Sequence, residues 1–310
     1  MNPVADIDSL HDKLKFRIAG VLLSVSGARA LRLRIGNPLY RSFLSRHLQD
    51  AGGREIDIRL HTGQFPPAEK MEKIFDTRES WSLFREKNDL RILFRSPRLA
   101  EPLWAARFDR RASRVEYYCP PLQPLPGKRT IEMLCPLAYP LDQLLLMYYF
   151  ARRRGILIHA AGMVHRGQAF IFSGASGAGK STFSELLVTA GTGKVLSDER
   201  MIVREIDGVM QAFGTPWAGT AGIGRSGSAP LAGIFFLKHG KGNCIERLDG
   251  AAAADRLLPL SSIPWYDPDT AAPIIAFAKR IFTAVPAYEF RFTPDRSAID
   301  FFWKFIKKTS

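Results

Sequence analysis

Residues 171–182, "IFSGASGAGKST", decide the fold of the half of the chain that holds them. Gly174, Ala175, Ser176, Gly177, Ala178, Gly179, Lys180 and Ser181 satisfy G-x-x-x-x-G-K-[ST], with an apolar strand-like run before them and an amphipathic helical run after. Glycines let consecutive backbone amides turn inward with no Cβ in the way. The result is a concave nest for phosphate oxygens at a helix N-terminus that carries about half a positive charge. Lys180 then reaches the outer phosphates, Ser181 ligates magnesium, and Thr182 completes the nucleotide-binding set.

A bound triphosphate also needs carboxylates to hold the metal or orient a nucleophile. Downstream, the strand-like "KVLSDER" offers Asp198 and Glu199; neighbouring strand residues point opposite ways, so one of them faces the phosphates unless the strand ends there. Upstream, "ILIHAAG" places His159 fifteen positions before Gly174, on the strand that a hairpin through "VHRGQ" sets beside the loop's own strand. His165, in that turn, reads as surface. Residues 213–230, "FGTPWAGTAGIGRSGSAP", are dense in Gly, Ser, Thr and Pro and predict a mobile loop. Arg225, near its centre, is a candidate to close on a transferring phosphoryl group, and Arg200, beside the acid pair, is a weaker one.

With 310 residues the chain suits two domains, and 46% hydrophobic with 24% charged residues is the composition of a folded protein. Lys and Arg number 44 against 30 Asp and Glu, a formal charge of +14 that favours acidic partners. Those bases alternate with apolar residues, as in "RALRLRIGNPLYRSFLSR", and no nucleic-acid reader motif accompanies them. Cys119, Cys135 and Cys244 are widely spaced with no C-x-x-C pair, which fits a reduced compartment. The polar, acidic opening "MNPVADIDSLHDKLKF" lacks a secretory pattern, and the longest apolar stretches are near half a bilayer span. The expectation is a cytoplasmic protein without a membrane span.

The first part of the chain reads as short strands, "FRIAGVLLSVS", "EIDIRLHT", "DLRILFRS", "LWAARFD" and "RVEYYC", interrupted by one helix, "PLYRSFLSRHLQDAGG", on Leu39, Phe43 and Leu48. The proline-dense "CPPLQPLPGKR" suggests a boundary, giving a sheet-rich α+β domain over 1–128 and an α/β domain over 129–310. The second domain opens with a helix, "PLDQLLLMYYFARRRG", its last turn basic and Gly155 as its left-handed cap. Beyond the loop and its helix, strands are expected at "APLAGIFFLKHGKGN" and "AYEFRFTPD", and helices over 271–284 and in the Asp-capped "PDRSAIDFFWKFIKK".

The ordered trio of a strand histidine, the phosphate loop some fifteen residues on, and an acid pair closing the next strand resembles the catalytic domain of HPr kinase/phosphorylase and its smaller relatives. The resemblance spans about residues 155–295. It implies the phosphoenolpyruvate-carboxykinase-like P-loop fold, ATP and Mg2+ as cofactors, and γ-phosphate transfer to a serine hydroxyl of a peptide or protein. It also implies roles: Asp198 as general base, His159 its neighbour, and Glu199 with Ser181 and Asp198 on the magnesium side. Thr182 stands where HPr kinases usually carry an acid, Glu199 where they carry Asp, and no Pro-Gly-Arg-Asn loop tied to phosphorolysis is present. These departures mark a divergent relative, of the sort that tailors ribosomal peptides or phosphorylates small hydroxyl compounds. An NTPase and a nucleotide-binding regulatory module are the alternatives. The leading domain would position a peptide or shield the nucleotide, and HPr kinases are commonly homo-oligomers.

Overall fold

The computed structural model describes residues 9–45, 55–63, 65, 71–96, 98–99 and 101–309. The chain is mixed α/β and sheet-rich, and it divides into two compact units, Met1–Tyr149 and Phe150–Ser310. The division falls about twenty residues later than the proline-dense stretch suggests. The reason is β10, Ile131–Leu134, which pairs in parallel with β3, Leu31–Arg34, and so ties the segment after the prolines back to the first unit.

In the first unit, β1 (Lys13–Ile18), β2 (Val21–Ser26), β4 (Glu55–Thr62), β5 (Glu72–Asp76), β6 (Trp81–Glu86), β7 (Asp89–Phe94), β8 (Trp104–Asp109) and β9 (Arg114–Cys119) form one sheet in the order β1-β2-β4-β9-β8-β7-β6-β5. Alternation decides its faces: Ile56, Ile58 and Leu60 of β4 are buried, while Asp57, Arg59 and His61 point the other way. "FRIAGVLLSVS" is two strands joined by Ala19 and Gly20, both at positive φ, the requirement of a two-residue hairpin turn. The helix expected from residue 38 is a 3-10 turn, Pro38–Phe43, capped by Asn37; Leu44 is already extended, and Leu48 lies outside the described residues. The polar opening 1–8 also lies outside them. Helix α1, Leu141–Ala151, begins in this unit and sets Tyr148 edge-on to Phe108 of β8.

The second unit is built on two long strands. β11 (Gly155–His165) pairs through 155–159 with β14 (Arg200–Ile206), and through 160–165 with β12 (Gln168–Ser173); β13 (Lys194–Ser197) lies on its other side. β16 (Ser228–His239) meets β15 (Val209–Phe213) at its start, then β12 and β18 (Ala287–Phe292), both parallel to it. β17 (Cys244–Leu248) completes the far edge against β18. Helices α2 (Lys180–Ala190) and α5 (Arg296–Thr309) pack against each other, and Phe172, Phe183, Phe235, Phe290, Phe292 and Phe302 fill the core beneath. α3 (Gly250–Leu257) and α4 (Pro268–Ala284) form a second helical pair, α4 also resting on β11.

Gly155 does not cap α1. Arg154 takes the left-handed conformation, φ 49°, and Gly155 is glycine for space, since a Cβ there would sit 2.9 Å from the Phe150 side chain. The three arginines follow the helix end rather than occupying its last turn. Among the described residues no helix is long and apolar enough to cross a membrane.

Candidate functional site

The β11–β12 hairpin turns through Arg166 and Gly167, both at positive φ, and delivers β12 to the loop 174–179. Gly177 (φ 77°) and Gly179 (φ 91°) adopt conformations that L side chains rarely reach. Gly179 is also confined: a Cβ there would lie 2.7 Å from the Phe292 ring and 3.0 Å from that of His239. α2 has no side-chain cap and no acid in its first turn, so its leading amides and the positive end of its dipole are free for an anion. Lys180 folds back across the loop and donates to the carbonyls of Gly174 (2.8 Å) and Ala175 (3.3 Å).

Opposite stands the acid pair. β13 ends at Ser197 and β14 starts at Arg200, so Asp198 and Glu199 occupy a bend between strands and escape the alternation that would set them on opposite faces. They sit level with the point where β11 exchanges one partner for another: His159 pairs with Arg200, Ala160 N–H donates to Glu199 O, and Ser173 Oγ donates to His159 O. His159, Ser176, Gly177, Gly179, Lys180, Ser181, Thr182, Asp198, Glu199 and His239 thereby line one cavity of about 340 Å³.

Within it, His159 Nε2 lies 3.4 Å from Glu199 Oε2. Burial, with Lys180 and Arg200 adding to it, holds the His159 imidazole below its ordinary 6.5, against the pull of Glu199. Burial likewise lowers Lys180, with Glu199 opposing. Asp198 is 4% exposed, and its carboxylate accepts from the amides of Gly219 (2.9 Å), Ala221 (2.7 Å) and Ile223 (3.1 Å).

Of the residues expected from sequence, Gly174, Ala175 and Ala178 shape the loop without lining the cavity, and Arg225 is not brought to it. Arg225 N–H donates to Leu196 O, Gly214 packs on its carbonyl, and its side chain is exposed. Residues 213–230 are correspondingly not a free loop, because their backbone is bonded along 196–200. Arg200 donates to Ser262 Oγ outside the cavity. His239 was not expected. It ends β16, the parallel neighbour of β12, and stacks on Phe292; its signal was a histidine at the end of the strand that carries the buried run "GIFFL", just before a glycine, where parallel strand ends share an edge with the loop.

Two further cavities lack such a constellation. One, of about 330 Å³ in the first unit, has Arg107 paired with Asp89; the other, of about 520 Å³ beside α3, has Asp249 engaged in capping that helix. Among the described residues no three His, Cys, Asp or Glu side chains gather as a metal cage. The cavity offers hard oxygen donors in Ser181, Asp198 and Glu199, which suit magnesium shared with phosphate oxygens rather than enclosed by protein.

No family model and no curated protein matches the chain. Among solved structures, the HPr(Ser) kinase/phosphatase from Coxiella burnetii aligns with 49% of this chain and 93% of its own, at 8% identity and a TM-score of 0.28.

Proposed function

We propose that the chain is an ATP- and Mg2+-dependent kinase that transfers the γ-phosphate to a hydroxyl, that of a serine in a peptide or protein. The observation that carries this reading is the convergence of a phosphate loop, the adjacent acids Asp198 and Glu199, and His159 on one cavity. A phosphate cradle alone serves any nucleotide protein; the polar cluster facing it supplies proton handling, which contributes typically ~10²- to 10⁴-fold. The second unit is then a phosphoenolpyruvate-carboxykinase-like P-loop domain.

In the reaction the acceptor oxygen bonds to the γ-phosphorus, the bond from that phosphorus to the β-bridging oxygen breaks, and ADP leaves. The acceptor's proton passes to the polar cluster of Asp198, Glu199 and His159. The amides of the loop and of the first turn of α2 hold the β- and γ-phosphate oxygens, and Lys180 exchanges its carbonyl partners for phosphate. Magnesium, when bound, neutralises the triphosphate charge; Ser181 and Glu199 are the side chains that would hold it.

The test is incubation with γ-labelled ATP and either candidate serine peptides or cell extract, beside Lys180→Ala. Label on a peptide or protein that depends on Lys180 supports the kinase. Label on a small hydroxyl compound would move the acceptor class, free phosphate alone would make the protein an NTPase, and tight binding without turnover would make it a regulatory module.

A further inference from the structure

Asp198 and Glu199 are adjacent in sequence and share one cavity, yet their surroundings divide them. A carboxylate offers about four acceptor positions. Three of those on Asp198 are taken by the amides of Gly219, Ala221 and Ile223, and the group is almost fully buried. The same backbone stretch is fastened on either side: Ser197 Oγ donates to Trp217 O (3.2 Å), Thr215 Oγ1 to Arg200 O (2.6 Å), and Arg225 N–H to Leu196 O (2.8 Å). Gly219 lies so close over the pair that a Cβ there would be 3.1 Å from both Asp198 Oδ2 and Glu199 Oε2. Glu199, by contrast, has its side chain one-third exposed, with His159 beside it.

We propose that Asp198 is a positioning residue: its carboxylate latches the backbone of 217–223 over the acid pair, and Glu199 with His159 is the couple left to meet acceptor and metal. The proposal deepens the kinase reading, on which its catalytic half rests. Three of the four acceptor positions on Asp198 are committed to amides, so any shift of this carboxylate toward an acceptor or a metal would strain those bonds and the loop they hold. Charge-assisted bonds of this kind are among the stronger ones in a protein, and a buried carboxylate without them is costly. Glu199 carries no such load. The glycine and alanine content of "AGTAG" follows from the same geometry, since the chain must run close enough for its amides to reach the carboxylate.

Amide exchange across 217–223, followed by mass spectrometry on the full chain, reads the latch without nucleotide or acceptor. Exchange there should rise about tenfold or more in Asp198→Ala, as loss of even one hydrogen bond to a charged acceptor would produce, and stay at the wild-type rate in Glu199→Gln. Asp198→Asn, whose amide oxygen still accepts, should keep part of the protection and part of the Mg·ATP turnover. Gly219→Ala, which crowds the loop off both carboxylates while leaving them in place, should loosen the same segment. Unchanged exchange in Asp198→Ala overturns the proposal. So does an Asp198→Asn protein with wild-type protection and no turnover, which would make Asp198 the base. Failure of the wild-type chain to bind fluorescent ATP sinks the kinase reading instead and leaves the exchange result standing.

Discussion

Lys180 is held in the free protein by two carbonyls of its own loop, so its ammonium is already aimed across the cradle that a triphosphate would fill. Exchanging these neutral acceptors for phosphate oxygens gains a charge-assisted bond, and Lys180→Ala removes it. ATP affinity should fall by about 10- to 100-fold, read by titration with a fluorescent nucleotide, with the thermal midpoint unchanged in its absence. His239 borders the same loop, its ring against Gly179 and Phe292. The cysteines give a second prediction at this scale. Burial pushes the Cys135 thiol up to about 12 and raises Cys119 as well, and both are buried, whereas Cys244 is half-buried. One thiol per native chain should react quickly with a chromogenic disulfide; Cys244→Ser should abolish that fast phase, and survival of the phase would contradict the assignment.

Helix α2 carries the phosphate loop only as firmly as its underside is packed. Phe183, fully buried in its first turn, meets the rings of Phe172 (4.7 Å between centroids), Phe292 (5.3 Å) and Phe290 (5.4 Å). Phe183→Ala should cost about 3–5 kcal/mol of stability by denaturant unfolding, because the cavity it leaves lies between a helix and two strands that cannot collapse together. On the other side, Glu205 of β14 takes a bidentate pair from Arg280 of α4 and a third contact from Arg154. The Arg280 hydrogen bonds, then the nearby Arg154 charge, hold its carboxyl below the ordinary 4.5 despite desolvation. A depressed carboxylate stabilises fully above its unfolded value and loses that contribution as pH falls through the folded one. Glu205→Gln should therefore lower the thermal midpoint slightly at pH 7 and flatten the decline below pH about 4.5; an acid limb as steep as the wild type's would rule the link out. The elements that were legible in the sequence are those whose instructions are local: the β11–β12 turn, the glycine spacing of the loop, and the Asp cap of α5. β5 and β6 are not legible in the sequence, because neither carries the regular apolar alternation of β4 and their pairing is settled by cross-strand neighbours. The latch on Asp198 was illegible for a different reason, since its donors are backbone amides 21 to 25 residues away and any sequence supplies amides.

Over the whole chain, each unit has a core of its own: Phe16, Leu23, Ile56, Ile58 and Phe108 in the first, the phenylalanine cluster in the second. A positive charge of 14 is a property of the entire surface and favours acidic partners generally, so it does not distinguish a nucleotide from an acidic peptide. What does distinguish them is where a ligand acts. The lining of the phosphate cavity comes wholly from Phe150–Ser310, from β11, the loop and α2, the 198–199 bend and the end of β16. A ligand that binds only the folded state stabilises what it binds, by about 2.7 kcal/mol at a hundred times its dissociation constant, which for a unit of this size raises the midpoint by about 5–10 °C. Mg·ATP should accordingly raise the unfolding midpoint and slow the amide exchange of residues 150–310, and leave the exchange of 9–149 near its unliganded rate. Lys180→Ala should erase the shift. A rise confined to the first unit, or an identical rise with Lys180→Ala, would place the nucleotide elsewhere and remove the ground on which the kinase reading stands.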